Sequence, residues 1–236
     1  MNKRAKKTEL EKKAVAREAL RYVHDNMTIG IGSGTTMTYF INYIGASLET
    51  GELQGLRGVP SSLSAKNLLL KKCIPVETLG TLKEGKIDVA VDGLDSFLQK
   101  QKVVIKGRGG AFLQEKIIDY TADGLILIGD ARKVNQRVPV PIEVLPPAVA
   151  TVKLQLEKFG GELMVRNAEK KLGPVISDNG NVICDVEFPT EQIRPELEGK
   201  LNAIPGLLET GIFTKDAKIL IGYERGEKIE EHTMNI

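Results

Sequence analysis

The stretch Ile87–Ile118, IDVAVDGLDSFLQKQKVVIKGRGGAFLQEKII, contains two apolar strand patterns, a glycine-rich turn and a helix pattern. Its first part, Ile87–Val91, predicts a buried strand because apolar and β-branched residues dominate it. A second β-branched stretch ends at Lys106, and the apolar spacing after the turn predicts a helix over 109–121. Strands that alternate with helices in this way are typical of a parallel sheet.

The sequence before and after this stretch continues the alternation. Further helices are predicted at Thr8–Asp25, Thr35–Ala46 and Ser61–Lys72, and further strands at Met27–Ile31, Leu56–Val59 and Gly124–Ile128. Thr8 is the expected N-cap of the first helix, with Glu11 completing a capping box. We therefore predict an α/β fold with a mostly parallel, Rossmann-like sheet covered by helices on both faces.

The second half of the chain has a different pattern. The proline-rich segment Val138–Pro147 predicts a crossing into a second unit rather than a central strand, because proline cannot donate to a β-ladder. A small α+β domain is predicted from helix 148–159, strands Glu162–Arg166 and Val182–Val186, and helix Thr190–Leu201. The strand Ala217–Gly222 is expected to rejoin the first sheet. We thus predict a large catalytic α/β domain, 1–137 with 207–236, and a small inserted α+β domain, 138–206.

Composition and charge exclude several classes of protein. The chain has 236 residues and a formal net charge of only +2, which gives no electrostatic support for nucleic-acid binding. No apolar run has the length of a membrane span or the form of a signal peptide. Cys73 and Cys184 lie far apart without metal-ligand spacing, which indicates thiols in a reducing cytoplasm. His24 and His232 lie near the chain ends, so neither a metal site nor a histidine triad is expected.

Four side chains of the opening stretch are candidates for proton-transfer chemistry. Asp92 and Asp95 follow the predicted strand, and neighbouring carboxyl groups can share and move a proton. Lys106 could neutralise an oxyanion that forms during a reaction. Glu115 lies on the apolar face of the predicted helix, where partial desolvation makes a carboxylate a stronger base. Each feature alone also has a non-functional explanation, as a turn after a strand or a solvated surface residue.

A second candidate site is the loop that joins the first predicted strand to the following helix. The residues IGIGSGTT, Ile29–Thr36, place free N–H groups and the positive end of a helix dipole where an anion can bind. Ser33, Thr35 and Thr36 add hydroxyl donors for phosphate oxygens. The spacing matches neither a dinucleotide fingerprint nor a Walker A loop, so a phosphate monoester fits better than NAD or ATP. A tight strand-to-helix turn with threonine caps explains the same residues without a ligand.

Taken together, these stretches resemble ribose-5-phosphate isomerase of the A type. The family pattern D-G-A-D-E corresponds to Asp92–Ser96, I-K-G-G-G to Ile105–Gly109, and R-E-K to Gln114–Lys116. The loop Ile29–Thr36 resembles the phosphate-side loop G-x-G-T-G-S-T of the family. Three further segments match the family in order and spacing: Pro139–Pro146, Ser177–Val186 and Ile204–Phe213. The resemblance extends over nearly the whole chain.

Among the departures of the chain from the family pattern, three bear on the predicted site. Ser96 stands where the family has Glu, Leu94 where it has Ala, and Arg108 where it has Gly. Loss of a glutamate at position 96 removes a charge near Asp95 and Lys106. The side chain of Arg108 could either reach a phosphate or obstruct the pocket, and both alternatives stay open at this point.

The resemblance implies a cofactor-free aldose–ketose isomerase of the non-oxidative pentose phosphate pathway, which interconverts ribose 5-phosphate and ribulose 5-phosphate. It implies that Asp92 assists ring opening or shuttles protons, with Asp95 positioning it. Glu115 would carry the proton between C2 and C1 through an enediolate that Lys106 stabilises. The implied substrate contacts are Ser33, Gly34, Thr35, Thr36, Gly93, Leu94, Gly107, Arg108, Gly109 and Lys133. Lys12 is a weaker candidate for a phosphate contact.

The resemblance also bears on partners and on competing functions. The family's habit and the apolar helices of the small domain imply a homodimer or homotetramer, with no nucleic acid or membrane as partner. The departures Ser96 and Arg108 motivate an alternative, a sugar-phosphate-binding or sensor protein with weakened catalysis. A third hypothesis, a relative of the acyl-CoA transferases, would need an activated glutamate nucleophile, and the family stretches disfavour it.

Overall fold

A computed structural model describes residues 3–82, 85–170 and 172–235. The helices are α1 (Lys3–Glu18), α2 (Thr35–Thr50), α3 (Leu63–Lys71), α4 (Phe112–Thr121), α5 (Val149–Lys158) and α6 (Pro195–Asn202). The strands are β1 (Thr28–Ile31), β2 (Arg57–Pro60), β3 (Ile87–Gly93), β4 (Ser96–Leu98), β5 (Val103–Ile105), β6 (Ala122–Asp130), β7 (Val140–Val144), β8 (Glu162–Val165), β9 (Val182–Glu187), β10 (Leu207–Thr210), β11 (Ile212–Phe213), β12 (Ala217–Tyr223) and β13 (Lys228–Met234).

Contacts between Cα atoms divide the chain into two compact units. Unit 1 contains Met1–Leu94, Gln114–Lys133 and Lys215–Asn235. Unit 2 contains Asp95–Leu113 and Val134–Thr214. The domain boundaries predicted from the sequence, 1–137 with 207–236 and 138–206, stay a prediction.

Unit 1 is built on a six-stranded sheet with the order β13-β12-β6-β3-β1-β2. All neighbours are parallel except β13, which pairs antiparallel with β12. The mostly parallel sheet is therefore confirmed, and β12 pairs with β6, so that the late strand rejoins the first sheet as expected. The edge strand β13 was not predicted, because its sequence KIEEHTM carries charges and polar residues in place of a clear apolar face.

Helices cover both faces of this sheet, as predicted. On one face, Ile29 and Ile31 of β1 pack in a core with Phe40 and Ile41 of α2. The residue between them, Gly30, points to the other face, because side chains alternate along a strand. A Cβ at this glycine would lie 2.5 Å from Cγ2 of Ile118, so its absence lets α4 approach the sheet closely.

The first helix begins and ends earlier than the predicted Thr8–Asp25, because it stops at Glu18 and a 3-10 turn follows, and Thr8 is not its N-cap. The helix already includes Lys3–Lys7, and the Thr8 hydroxyl donates to the Arg4 carbonyl one turn earlier, at 3.1 Å. Glu11 does not complete a capping box; it is buried and lies 3.6 Å from the Lys7 ammonium. Such pairs stabilise the extra turn that the basic run forms.

Unit 2 contains two antiparallel sheets, with the orders β10-β7-β9-β8 and β11-β5-β4. The prediction that Val138–Pro147 is a crossing rather than a central strand was wrong, because β7 lies between β10 and β9. The Pro141 carbonyl accepts from the Gly211 N–H at 2.7 Å. Within a strand, the nitrogen and the carbonyl of one residue point to the same side. The Pro141 nitrogen, which has no hydrogen to donate, therefore faces Gly211, the residue between β10 and β11. The proline therefore interrupts no regular ladder.

The other predicted elements lie within a few residues of the observed ones, with one difference in unit 2. The helix predicted over Thr190–Leu201 is a 3-10 turn, Thr190–Gln192, followed by α6, which begins at Pro195. Proline favours the first position of a helix, since its missing N–H has no partner there. None of the described helices has the length and apolarity needed to cross a lipid bilayer.

Candidate active site

The predicted anion loop lies at the carboxyl end of β1 and leads into α2, a helix of 16 residues. Its N-cap is Gly34, with φ +105° and no side-chain cap. Thr35 and Thr36 are the first helical residues, so the alternative of a turn capped by threonine side chains does not describe this helix start. A Cβ at Gly34 would meet nothing within 4 Å, so the loop is open at this point. The N–H groups of the first turn therefore lack the usual side-chain cap and suit an anion.

A cation and four hydroxyl groups accompany this helix end. The Lys12 ammonium donates to the Thr35 hydroxyl at 2.7 Å, which places a positive charge at the start of α2. The Ser33 hydroxyl lies 3.0 Å from the hydroxyl of Ser61 and donates to that of Ser62 at 2.7 Å. Ser62 is in turn the N-cap of α3 and accepts from the Ala65 N–H. Sequence reasoning missed both serines, although they directly follow β2 at the carboxyl edge of the sheet.

Asp92, at the end of β3, is fully buried and contacts the same loop. Its Oδ1 accepts hydrogen bonds from the N–H groups of Ser33, at 3.2 Å, and Gly93, at 2.6 Å. A Cβ at Gly32 would overlap this carboxylate. Glycine at position 32 therefore leaves the space that the Asp92 carboxylate needs to pack against the loop.

Glu115 and Lys133 belong to the same edge of the unit 1 sheet. The strands β3 and β6 are parallel neighbours, and α4 precedes β6. A helix between parallel strands runs back across the sheet, so its first turn lies where the strands end. Glu115 lies in that first turn of α4 and is only 5% exposed. Lys133 lies in the 3-10 turn Ala131–Lys133, directly after β6, and is partly buried.

Asp130 and Arg132 form an ion pair next to Lys133. The guanidinium donates to the buried carboxylate at 2.7 Å from Nε and at 3.1 Å from Nη2. Burial alone would raise the pKa of Asp130, but the hydrogen bonds and the charge of Arg132 outweigh it and hold the pKa below its ordinary value. The carboxylate therefore stays ionised at the end of β6.

Lys106 lies in unit 2 at the end of β5 and is 2% exposed. Its N–H donates to the Gly211 carbonyl at 2.9 Å, and its Nζ lies 5.2 Å from the centroid of the Phe213 ring. A cation over an aromatic face is attracted by the ring, which offsets part of the hydration that the ammonium loses on burial. A Cβ at Gly211 would overlap the Lys106 carbonyl, so the close approach requires glycine there.

The turn after Lys106 is held by Asp95. The Asp95 N–H donates to the Ile105 carbonyl, and its Oδ2 accepts from the Arg108 N–H, both at 2.9 Å. Gly107 and Gly110 have φ of +108° and +77°, and the Gly110 N–H donates to the Gly107 carbonyl. Asp95 therefore orders the turn 107–110 within its own unit.

The departures from the family pattern occupy different environments. Ser96 is fully buried, and its hydroxyl donates to the Gln136 carbonyl at 2.6 Å, so a neutral hydrogen bond replaces the expected charge. The side chain of Arg108 is exposed, and Gly109 is exposed as well. Leu94 is buried in unit 1, and a Cβ at Gly129 would lie 3.1 Å from its Cδ1, which makes Leu94 a core residue there.

Each unit thus brings together part of the predicted set. Unit 1 places Asp92, Glu115 and Lys133 at one sheet edge with the loop Gly32–Thr36. Unit 2 places Asp95 and Lys106 at the turn 107–110. Within the described ranges, no group of three or more histidine, cysteine or acidic side chains is arranged to hold a metal ion.

Comparisons with known proteins identify a family for this chain. The model of the family described as ribose 5-phosphate isomerase A (phosphoriboisomerase A) matches residues 57–226. Ribose-5-phosphate isomerase A of Thermococcus kodakarensis is 45% identical over 222 residues, which are 92% of this chain and 96% of that protein. The relative of the same name from Methanocaldococcus jannaschii is 42% identical over 91% of this chain and 94% of its own length.

Solved structures agree in fold. The structure of ribose 5-phosphate isomerase A from Methanocaldococcus jannaschii matches with a TM-score of 0.87 and 39% identity, over 94% of this chain and 97% of that one. A D-ribose-5-phosphate isomerase in complex with phospho-erythronic acid matches with a TM-score of 0.90 and 40% identity, over 99% of this chain and 100% of that one.

Proposed function

The chain belongs to the ribose 5-phosphate isomerase A family and interconverts ribose 5-phosphate and ribulose 5-phosphate, and we propose that it does so with Asp92, Lys106 and Glu115. The observation that supports these roles most directly is in unit 1. There Asp92 and Glu115, both buried, lie at the sheet edge that also carries the anion loop. A sugar phosphate needs an anion site and a proton carrier close together, and this edge supplies both.

The phosphate binds at the start of α2 in this proposal. The uncapped N–H groups of the helix, the hydroxyls of Ser33, Thr35 and Thr36, and the Lys12 ammonium supply donors and positive charge. Gly34 lets the phosphate approach the backbone, since it carries no side chain. The other predicted contacts stay predictions: Gly93, Leu94, Gly107, Arg108, Gly109 and Lys133.

The chemical step is a proton transfer between neighbouring carbons. Asp92 assists ring opening and moves a proton between the sugar oxygens. The Glu115 carboxylate removes the proton from C2 of the open aldose, which leaves an enediolate, and the protonated Glu115 then returns a proton to C1. The Lys106 ammonium stabilises the negative charge that forms on the enediolate oxygen. Asp95 orders the turn that follows Lys106.

Substitution of the proposed base tests the mechanism. Glu115→Gln keeps the shape of the side chain but cannot accept the proton, so kcat should fall by about 10²–10⁴-fold while KM for ribose 5-phosphate changes little. Ribulose 5-phosphate formation by the purified variant measures both constants. Glu157→Gln, at an exposed position of α5, is the matched control and should behave as the wild type. Turnover of Glu115→Gln at the wild-type rate would remove Glu115 from this role.

The binding-only alternative is tested by the same assay. Nothing in the site favours it, since the Ser96 hydroxyl is used by a backbone carbonyl and the Arg108 side chain is exposed. Purified wild-type protein that binds ribose 5-phosphate but does not convert it at any pH would support a sensor instead.

We further propose that the chain is a cytoplasmic homodimer or homotetramer that acts in the non-oxidative pentose phosphate pathway. Free Cys73 and Cys184 support a reducing compartment. Unit 2 exposes several large apolar side chains, which supports self-association: Leu145, Leu154, Phe159, Met164, Val165 and Ile176. Met164 and Val165 lie on β8, an edge strand of its sheet. Sedimentation of the purified protein measures its mass, and a monomer at micromolar concentration would contradict the oligomer.

A further inference from the structure

The carbonyl groups of the turn after Lys106 are held by a side chain that no step of the mechanism uses. The Nη1 of Arg166 donates to the carbonyls of Gly107, at 3.1 Å, and Arg108, at 3.0 Å. Arg166 directly follows β8, and all these residues belong to unit 2. One guanidinium nitrogen therefore fixes two consecutive peptide groups of the turn.

The guanidinium is itself held in place on its other side. Its Nε donates to Oδ2 of Asp185 at 2.8 Å, and its Nη2 donates to Oδ1 at 2.5 Å. The two side chains are 19% and 18% exposed, so most of the bidentate pair is removed from water. The backbone of Arg166 is fixed as well, because its N–H donates to Ile183 and its carbonyl accepts from Val175. The orientation of the planar guanidinium is thus determined by the four-stranded sheet.

This arrangement determines where the N–H groups of the turn point. In a trans peptide the N–H of the next residue points opposite to the carbonyl, and the described chain has no cis bond. Because the carbonyls of Gly107 and Arg108 point at Arg166, the N–H groups of Arg108 and Gly109 point away from it. The Arg108 N–H indeed meets Oδ2 of Asp95 at 2.9 Å. Arg166 and Asp95 therefore hold the turn from opposite sides.

We propose that Arg166 and Asp185 are positioning residues of the isomerase, which orient the turn 107–109 and, through it, Lys106. Neither side chain touches the substrate in this proposal. The inference rests on the proposed function, in which Lys106 stabilises the enediolate. A cation that must lie at a developing charge loses much of its effect when its backbone shifts by about 1 Å, which can lower the rate by about 10²-fold.

A purely structural ion pair would give a different result. Loss of a pair that has only a structural role would lower the thermal stability of the protein and leave the rate of each folded molecule nearly unchanged. A positioning pair instead affects the step in which charge develops. It lowers kcat while the phosphate, bound by other residues, keeps KM nearly constant. The split between kcat and KM therefore distinguishes the two roles.

Three variants and a control test the proposal. Arg166→Lys keeps the positive charge but lacks the planar guanidinium. A lysine ammonium therefore cannot bind both oxygens of Asp185 and, at the same time, the carbonyls of Gly107 and Arg108. We expect kcat to fall by about 10- to 100-fold in Arg166→Lys and Arg166→Gln, with KM within about twofold of the wild type. Asp185→Asn should lower kcat in the same direction. Arg137→Gln is the control. The Arg137 side chain is 72% exposed and lies 3.8 Å from the carboxylate of Glu187, which belongs to β9 as Asp185 does.

The double variant Arg166→Gln with Asp185→Asn adds a second criterion. Residues that act as one unit are not additive, so kcat of the double variant should be close to that of Arg166→Gln alone. Thermal unfolding of every variant separates folding from catalysis. If an Arg166 variant does not fold, Asp185→Asn, which keeps the guanidinium, decides by the same criteria.

The outcomes separate this inference from the proposed function. Wild-type protein without isomerase activity would contradict the function itself. An active wild type whose Arg166 and Asp185 variants keep the kcat of Arg137→Gln would overturn the positioning role and leave the function intact. Equal loss of activity and of folded protein, with an unchanged kcat for each folded molecule, would assign the pair to stability and also overturn the proposal.

Discussion

The two glycine-rich segments of the molecule share several features but differ in what their backbone groups contact. In both, an aspartate accepts a hydrogen bond from a backbone N–H of the segment: Asp92 from Ser33 in unit 1, and Asp95 from Arg108 in unit 2. In the first segment Gly32 makes room for the buried carboxylate, and a helix follows whose free N–H groups suit a phosphate. Each segment also contains a glycine with positive φ, Gly34 in the first and Gly107 in the second, but in the second the carbonyl of that glycine is bound by Arg166.

The difference shows that composition alone does not define a site. In the first segment, no atom lies within 4 Å of a Cβ built at Gly34, so the N–H groups at the start of α2 are accessible to a ligand. The second has its carbonyls bound by Arg166 and one N–H bound by Asp95, so it is a rigid support for Lys106. We therefore expect substitutions in the first to affect both affinity and rate, and substitutions in the second to affect mainly the rate.

Among substitutions in the two glycine-rich segments, the largest effect is expected at Gly32. A Cβ in Gly32→Ala would overlap the Asp92 carboxylate, which is fully buried and cannot move into solvent. Either Asp92 or the loop must shift, so kcat/KM should fall by about 10²-fold or more, and the free energy of unfolding by about 1–3 kcal/mol. Steady-state kinetics and denaturant unfolding measure the two changes.

Gly199→Ala provides the matched control for this substitution. Gly199 lies in α6, and a Cβ there would meet nothing within 4 Å. Alanine is the better helix former, so the control should be as stable as the wild type or more stable by up to about 1 kcal/mol, with unchanged kinetics. Wild-type kinetics in Gly32→Ala would show that Asp92 does not need its observed position.

The sequence predicts the alternation of strands and helices well, because apolar residues recur at the periods that each element requires. β1, β3 and β6 therefore lie close to their predicted positions. The central position of β7 could not be predicted, because strand pairing is not a local property of the sequence. Pro141 is tolerated in β7 because it faces Gly211, where the neighbouring chain passes from β10 to β11.

The candidate site was predictable to a similar extent. The residue types of Asp92, Lys106 and Glu115 indicate proton transfer without a structure. The contact between Gly32 and Asp92 depends on pairing between β1 and β3, which no local pattern encodes. Arg166 was missed for the same reason, because its partners at Gly107 and Asp185 are distant in sequence and an isolated arginine after a strand has no functional signature.

A smaller effect is expected in the second glycine-rich segment. Gly107→Ala would place a side chain at φ +108°, with its Cβ 2.6 Å from the Phe112 ring. The turn must change its conformation, so kcat should fall by about tenfold or more, while KM stays within about twofold because the phosphate is bound by other residues. Gly110→Ala is the control. It also places a side chain at a positive φ, +77°, but its Cβ would lie 3.7 Å from the nearest atom, so it has backbone strain without a steric clash and should have a smaller effect. A rise in KM without loss of kcat in Gly107→Ala would contradict the contrast between the two segments.

The smallest effect is expected at Lys12, on the edge of the first segment. Lys12→Met removes a partly exposed charge and its 2.7 Å hydrogen bond to Thr35, but leaves the helix start and its N–H groups in place. KM for ribose 5-phosphate should rise by about three- to tenfold with kcat nearly unchanged, and the difference from the wild type should shrink as salt is added, since salt screens a partly exposed charge. Lys13→Met is the control, because Lys13 pairs with Glu9 rather than Thr35. Equal KM values for the two variants would mean that the phosphate does not use the charge at the start of α2. A loss of kcat in Lys12→Met alone would place this lysine near the reacting carbons instead.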